Sequence, residues 1–304
     1  MSNQITLNLP LAEVALDRDY LSRTREKLFE ELWLNSQTKV LVMFDQQVLL
    51  ADGSALKYLE PSQVSLEGNP VYLGKTLTDD APVVMLIIES DAALTLEPDE
   101  TRWHHLRKSG IGLSSTDAAI FTQALALANW HSLHAFCSSC GESTKVLQAG
   151  WVRRCDSENR ELFPRTDPAI IVGVIDDQDR ILLGSQGIWK ENQYSILAGF
   201  VEPGESLEAA VIREMYEEAG IVVRDPQFIG SQAWPFPYSL MLGYLAKFSG
   251  GEAIPDGEEI VKLRWFSKQE LKDEADSLLL PGKLSIARSI IEHWLGEELN
   301  GQDH

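Results

Sequence analysis

The chain has 304 residues, which is long enough for two domains. Of these residues 44% are hydrophobic and 24% are charged, a balance typical of globular proteins. Its formal net charge of −20 argues against broad affinity for nucleic acid or anionic membranes, and predicts that divalent cations mediate contact with any anionic substrate. No run approaches the ~20 apolar residues that span a bilayer, and the opening MSNQITLNLPLAEVALDRDY does not resemble a secretory signal, so we expect a soluble, cytoplasmic protein with no membrane partner.

The first part of the chain shows a mixed pattern of strands and helices. Strands are predicted at 39–44, 48–51 and 81–90, and Asp52-Gly53 is a turn signal. A long helix is predicted from a cap at Ser115 or Thr116 to His134. The polar, cysteine-bearing stretch that follows is too short for a core of its own, and its three cysteines indicate metal binding in a reducing compartment rather than disulfides.

A second α/β pattern begins at Asp167. The predicted strands are 169–175, 180–185, 195–198, 226–230, 240–248 and 260–266, and the predicted helices are 206–219 and about 284–297. We therefore predict an α+β protein in three parts, which are residues 1–134, a cysteine-rich module at 135–165, and a C-terminal domain at 166–304.

The strongest chemical signal is GFVEPGESLEAAVIREMYEEAGI, residues 199–221. Ser206 is a plausible N-cap and Gly220 a plausible C-terminal stop, which predicts a helix of about four turns. Glu214, Glu217 and Glu218 share one sector of this helix and repel one another. Hard, oxygen-binding Mg²⁺ or Mn²⁺ would convert that repulsion into coordination, whereas the alternative is a solvated acidic face.

The same stretch resembles the signature of the Nudix hydrolases, G-x5-E-x7-R-E-U-x-E-E-x-G-U, where U is apolar. All nine fixed positions are filled, by Gly199, Glu205, Arg213, Glu214, Met215, Glu217, Glu218, Gly220 and Ile221. The resemblance implies a loop–helix–loop set against a mixed sheet, and hydrolysis of a nucleoside diphosphate linked to another group. In that family the helix carboxylates bind two or three divalent ions that bridge the pyrophosphate.

Site roles follow from the helix and from the resemblance together. Glu214 and Glu218 are predicted as the best metal ligands, with Glu217 close behind, and the Ala198 carbonyl is implied as a further ligand. Arg213 and Glu205 are expected to form an ion pair that fixes the loop.

The general base lies either on the helix or on a later loop. Glu259, just before a predicted strand, is the downstream carboxylate that we assign as a catalytic base or metal ligand. The alternative is its neighbour Glu258, which we expect to be solvated on the loop without a catalytic role.

The cysteine module carries Cys137 and Cys140 in one CxxC and Cys155 further on, whereas a four-cysteine zinc ribbon would also need cysteine at position 158, where the residue is Glu158. Such a ribbon ahead of a Nudix domain resembles the NADH pyrophosphatase (NudC-like) group. Glu158 is able to ligate zinc, with Asp156 or His134 as substitutes, so a structural Zn²⁺ site is one prediction. The other is a decayed site whose thiols pack in a small core.

The segment SQAWPFPYS, residues 231–239, concentrates aromatic rings and prolines. Rigid, flat rings can stack on a base, whereas the alternative is that Trp234 and Phe236 merely fill a core. The segment resembles the SQPWPFPxS motif of the NADH pyrophosphatase group, except at Ala233. The resemblance implies these substrate-binding residues: Phe163, Phe200, Gln232, Ala233, Trp234, Pro235, Phe236, Pro237, Tyr238, Ser239 and Ala287.

The group resemblance also implies a degenerate Nudix-like N-terminal domain, a homodimer, and cleavage of NADH or NAD to nicotinamide mononucleotide and AMP with Mg²⁺ or Mn²⁺. NAD-capped RNA is a further candidate substrate. The alternatives are a Nudix enzyme that prefers ADP-ribose or another dinucleotide, a non-catalytic nucleotide sensor, and an RNA-binding module. The last would need a basic patch, for which RWHHLRK (102–108) in the other predicted domain is the nearest candidate.

Overall fold

The computed structural model describes residues 9–299 and 302–303. It divides into two compact units. The first unit comprises Glu13–Thr166 together with Trp234–Tyr238, and the second comprises 9–12, Asp167–Ala233 and the described residues from Ser239 onward. The aromatic segment therefore groups with the N-terminal half of the chain, although the strands on either side of it belong to the second unit.

The first unit contains an eight-stranded mixed sheet and a separate three-stranded antiparallel sheet. Its strands are β1 (Leu16–Asp17), β2 (Lys39–Phe44), β3 (Gln47–Ala51), β4 (Ala55–Leu56), β5 (Tyr58–Leu59), β6 (Asn69–Thr76), β7 (Pro82–Ile87), β8 (Trp103–His105), β9 (Lys145–Leu147), β10 (Val152–Cys155) and β11 (Arg160–Leu162). The large sheet has the order β1-β6-β7-β2-β3-β4, with β5 on β2 and β8 on β3. β9, β10 and β11 form the small sheet that carries the cysteines.

Four helices complete the first unit: α1 (Leu28–Leu34), α2 (Ser90–Leu96), α3 (Leu106–Ser109) and α4 (Ser115–Leu133). The predicted strand at 81–90 is too long, because the chain leaves the sheet after Ile87 and Ser90 begins α2. The predicted cap of α4 is also wrong. The hydroxyl of Ser114 accepts the Asp117 N–H at 3.1 Å, and its extended backbone makes Ser114 the N-cap.

The second unit contains a six-stranded mixed sheet with helices packed on both faces, and a separate two-stranded parallel sheet. Its elements are β12 (Asp167–Ile175), β13 (Ile181–Gln186), β14 (Leu197–Phe200), α5 (Leu207–Ala219), β15 (Ile221–Trp234), β16 (Ser239–Gly251), β17 (Ile260–Phe266), α6 (Lys268–Glu274), β18 (Leu279–Leu280), α7 (Ile286–Leu295) and β19 (Gln302–Asp303). The sheet order is β15-β16-β12-β13-β17, with β14 on β12. β12 and β16 run parallel, as expected of a mixed sheet, and the predicted α+β class is confirmed.

Alternation along β12 sends its side chains to two cores. Ile170 and Val172 pack with Val211 and Met215 of α5, whereas Ile171 packs in the cluster that contains Ile290 of α7. The central strand is buried on both faces, which explains why its sequence is continuously apolar.

The ends of α5 agree with the sequence-based prediction. The Ser206 hydroxyl accepts the Ala209 N–H at 3.2 Å, and Gly220 has φ of 67°, in the left-handed region that ends a helix. No helix among the described residues is long and apolar enough to cross a membrane.

Candidate functional site

The acidic face of α5 is organised by one arginine. Arg213 donates to both carboxylate oxygens of Glu205, at 3.1 Å from Nε and 2.6 Å from Nη2. Its Nη1 donates to Glu214 at 2.8 Å and to Glu217 at 2.9 Å, and Nη2 also reaches the Phe200 carbonyl at 3.0 Å. The predicted Arg213–Glu205 ion pair is confirmed, and the same guanidinium fixes two of the three helix carboxylates.

Gly199 makes room for one of these carboxylates. A Cβ built on Gly199 would lie 2.0 Å from the Glu214 Cδ, closer than two carbon atoms can approach. β14 therefore passes directly beside the Glu214 carboxylate, and the glycine of the motif is required for contact rather than for an unusual backbone angle. The carbonyl of Ala198 lies on this same strand.

Glu218 is the most unusual carboxylate of the site. It is 5% exposed, and its Oε2 is buried without a hydrogen-bond partner. Burial, reinforced by the charges of Glu214 and Glu259, raises the pKa of Glu218 to about 8. A buried carboxylate oxygen with no donor is costly, so this position fits a cation.

The loop before β17 adds Glu259 to the three carboxylates of the helix, and Asp256 of the same loop fixes its backbone. The Asp256 carboxylate accepts the Glu259 N–H at 3.1 Å and the Ile260 N–H at 2.7 Å, and the Asp256 N–H donates to the Glu218 carbonyl at 3.2 Å. The loop is thus attached to the end of α5, and the Glu259 charge contributes to the raised pKa values of both Glu214 and Glu218. Sequence reasoning missed Asp256, although Asp before Gly is a turn signal.

The donor set fits divalent cations of the Mg²⁺ or Mn²⁺ type, which prefer carboxylate and carbonyl oxygens. Glu214, Glu217, Glu218 and Glu259 all belong to the second unit, as does the Ala198 carbonyl. Arg213 bridges two of these carboxylates, because its Nη1 donates to both Glu214 and Glu217. Among the described residues, the three cysteines form the group whose ligand atoms all lie within 4.8 Å of one another.

The cysteine trio lies in the first unit, in two similar turns. Cys137 and Cys155 are buried, Cys140 is exposed, and the Sγ atoms of Cys140 and Cys155 are 3.5 Å apart. N–H groups of the first turn lower the pKa of Cys137 to about 7, which favours the thiolate that binds metal.

Position 158 occupies the place in the second turn that Cys140 occupies in the first. Each turn has a left-handed residue four positions after its first cysteine, Gly141 with φ of 76° and Asn159 with φ of 47°. Glu158 is exposed, whereas the His134 ring donates from Nδ1 to the Trp130 carbonyl at 3.0 Å and Asp156 pairs with Lys145. Of the three candidate fourth ligands, Glu158 alone has no other engagement among the described contacts.

The predicted substrate residues fall into both units. Phe200 is 60% exposed in the second unit, and Phe163 is 62% exposed in the first. Gln232 is fully buried, and its side-chain amide joins Pro10, Leu284 and Ile286. Ala287 is 1% exposed in the apolar core, so its methyl group serves packing here. The assignment of these residues to substrate stays a prediction.

The aromatic segment itself is fixed within the first unit. The Asn129 Nδ2 of α4 donates to the carbonyls of Pro235 at 2.9 Å and Pro237 at 3.0 Å. The rings of Trp234 and Phe236 meet edge to face at 5.0 Å, and the Phe236–Pro237 peptide is cis. Asn129 was not found by sequence reasoning, because an isolated polar residue on an apolar helix carries no signal of its partner.

Comparisons with known proteins agree with this arrangement. Three family models match: the NADH pyrophosphatase-like rudimentary NUDIX domain at 37–130, the NADH pyrophosphatase zinc ribbon domain at 132–163, and the NUDIX domain at 164–285. A NUDIX hydrolase structure from Nitrosomonas europaea aligns with a TM-score of 0.41 at 21% identity, over 56% of this chain and 98% of that one, a likeness too loose to carry an argument.

Two curated relatives are called NAD-capped RNA hydrolase NudC. The protein from Mycobacterium tuberculosis is 43% identical over 62% of this chain and 64% of its own length. The protein from Pseudomonas syringae pv. syringae is 37% identical over 71% of this chain and 74% of its own. The chain thus spans a little under two thirds of the mycobacterial relatives that it matches.

Proposed function

Because the chain belongs to the Nudix hydrolases, in the NADH pyrophosphatase (NudC) group, we propose that it hydrolyses the pyrophosphate bond of NADH and NAD to nicotinamide mononucleotide and AMP. We extend the proposal to the removal of NAD caps from RNA, the activity named for its relatives. The observation that carries the proposal is the buried Glu218, whose unpartnered Oε2 lies in a group of acidic side chains.

Mg²⁺ or Mn²⁺ is the cofactor that this donor set supports, held by Glu214, Glu217, Glu218 and Glu259 with the Ala198 carbonyl. When bound, such ions neutralise charge on the pyrophosphate and lower the pKa of attacking water. Since a carboxylate must be charged to ligate a cation, the raised pKa of Glu218 predicts that metal affinity increases up to about pH 8.

The surrounding residues position these carboxylates. Arg213 orients Glu214 and Glu217 through hydrogen bonds to one oxygen of each, and Glu205 holds Arg213 from the loop side. Glu259, on a loop fixed by Asp256, is proposed to act either as one of these metal ligands or as the general base that accepts a proton from water. The exposed Phe200 ring, on the strand that touches Glu214, is proposed to stack on a ring of the substrate.

The first unit is proposed to contribute recognition and stability. Its aromatic segment is rigid enough to bind a nucleotide ring with little loss of entropy, and Phe163 is exposed for contact. The cysteine trio is proposed to hold structural Zn²⁺, with Glu158 as the fourth ligand. A cytoplasmic homodimer stays a prediction, and light scattering of the purified protein tests the dimer.

The test is a substrate panel of NADH, NAD, ADP-ribose and NAD-capped RNA, assayed with Mg²⁺ or Mn²⁺ and resolved by chromatography. We expect nicotinamide mononucleotide and AMP from the dinucleotides. Glu218→Gln should lower turnover by a hundredfold or more, on the order seen when one transition-state contact is lost. The matched control is Glu208→Gln, an exposed acid of the same helix, which should retain the wild-type rate.

Equal activity of both variants would refute α5 as the catalytic centre. Preference for ADP-ribose would favour the second Nudix reading. Absence of turnover on every substrate, with NADH still bound, would favour a nucleotide sensor.

A further inference from the structure

A cavity of about 560 Å³ lies in the first unit beside the aromatic segment. Its walls include His105, Arg107 and Lys108 from β8 and α3, Asn129 from α4, and Phe236 with Pro237. The volume lies within the range of small-molecule sites. None of the described residues that line it is acidic.

The two cations of this cavity have no carboxylate partner among the described residues. Arg107 is instead held by aromatic rings, with its Cζ 4.3 Å from the Phe236 ring centre and 5.4 Å from that of Trp234. Contact with a ring face orients a guanidinium. Its N–H donors, which lie in the plane of the guanidinium itself, are left free for an anion. Lys108 is the adjacent residue, exposed at the same cavity.

The aromatic wall is positioned by the same neighbourhood. Asn129, itself 4% exposed, fixes the carbonyls on both sides of Phe236 and so holds the ring against Arg107. A site that presents two unpaired cations next to a fixed aromatic ring suits a ligand with both phosphate and a flat base.

We propose that this cavity binds the phosphate groups of nucleotides, with Arg107 and Lys108 as the anion-binding side chains and Phe236 as the apolar wall. The phosphates come either from a single-stranded RNA chain or from a free mononucleotide. This proposal rests on the proposed function in one respect, since both assign the aromatic segment to nucleotide binding, but binding at the cavity needs no cleavage and can be measured separately from hydrolysis.

The experiment measures binding of a 5′-hydroxyl hexaribonucleotide by fluorescence anisotropy and of AMP by calorimetry. Neither probe contains a pyrophosphate bond, so the outcome is separate from that of the substrate panel. If the oligonucleotide binds more tightly than AMP, the phosphates come from an RNA chain. If AMP binds as tightly as the oligonucleotide and its binding depends equally on Arg107, they come from a free nucleotide.

Arg107→Ala and Lys108→Ala should each weaken binding about tenfold, the loss of one charge-assisted contact. For the oligonucleotide, each should also reduce the slope of log affinity against log salt by about 0.7. Lys27→Ala is the matched control, because Lys27 is an exposed cation of the same unit outside the cavity. Lys108→Ala also guards against a folding artefact, since Lys108 makes none of the ring contacts of Arg107.

The proposal is overturned if neither phosphate probe binds, or if both variants bind as Lys27→Ala does. It is also overturned if a hexaglutamate peptide binds as tightly as the oligonucleotide with the same dependence on Arg107, since the site would then recognise acidic peptide.

Discussion

Replacing Glu218 by glutamine tests the physical state of the site without any substrate. In the folded chain the pKa of Glu218 is about 8 against an ordinary value of 4.5, because the carboxyl is buried among other acids. Folding therefore favours the protonated form. The resulting penalty on the folded state is absent below about pH 4.5, grows as the pH rises towards 8, and is constant above it.

The magnitude follows from linkage. Between pH 5.5 and 7.5 the penalty grows by roughly 2 to 3 kcal/mol, from the ratio of ionised fractions in the unfolded and folded chains. Glu218→Gln has no such titration, so the unfolding free energy of the variant minus that of the wild type should rise by this amount over the same range. Any fixed cost of burying the amide cancels, because it does not depend on pH.

The assay is urea unfolding at several pH values without added Mg²⁺ or Mn²⁺. The chain has two units, which can unfold in separate transitions. The transition whose midpoint changes in Glu218→Gln is the one that reports on the second unit. The control is Glu208→Gln, an exposed acid of the same helix outside the group of metal ligands, which should leave the pH dependence nearly unchanged. Added Mg²⁺ should stabilise the wild type more than Glu218→Gln. Parallel pH profiles for wild type and Glu218→Gln would refute the claim that this carboxyl is buried and strained.

Two further tests concern the Gly199 contact and the cysteine trio. Gly199→Ala places a methyl group against the Glu214 carboxylate, so it should lower turnover at least tenfold while circular dichroism stays native; an unchanged rate would contradict the close approach of β14 to α5. Purified wild type should contain about one zinc per chain by mass spectrometry, and Cys155→Ser should lose it. Glu158→Cys should release zinc to a chelator more slowly than the wild type. Only a trace of zinc in the wild type would favour a decayed site.

The sequence is sufficient for α5 because its determinants are local. A hydroxyl at Ser206, a glycine at 220 and the absence of proline between them specify both ends, and the structure has the helix at Leu207–Ala219. The cap of α4 was missed by the same reasoning. Ser114, Ser115 and Thr116 offer equivalent hydroxyls, and the choice among them depends on a backbone that the sequence does not reveal.

Non-local partners account for the rest. Gln232 lies in the motif associated with substrate, yet its amide bonds to Pro10, more than two hundred residues earlier in the chain. The role of Asn129 depends on two carbonyls of the aromatic segment, and carbonyl positions cannot be derived from residue types. Residue chemistry thus predicts which groups a site contains, whereas the hydrogen bonds that restrict them are fixed only by the tertiary fold.

The position of the aromatic segment changes what its sequence had suggested. As a pattern, SQAWPFPYS looked like a ring-binding element of the catalytic domain, and the basic stretch at 102–108 looked remote from it. In the structure both belong to the first unit, and Arg107 lies over the ring of Phe236. The proposed metal chemistry of the acidic helix suits many diphosphates, because ions held by its carboxylates would act on the pyrophosphate that such substrates share. In the first unit, the arginine over a fixed ring offers charge and shape in one place to the nucleotide that we propose for the cavity. Substitutions at Arg107 are therefore expected to weaken nucleotide binding at the cavity of the first unit, whereas substitutions at Glu218 are expected to lower cleavage.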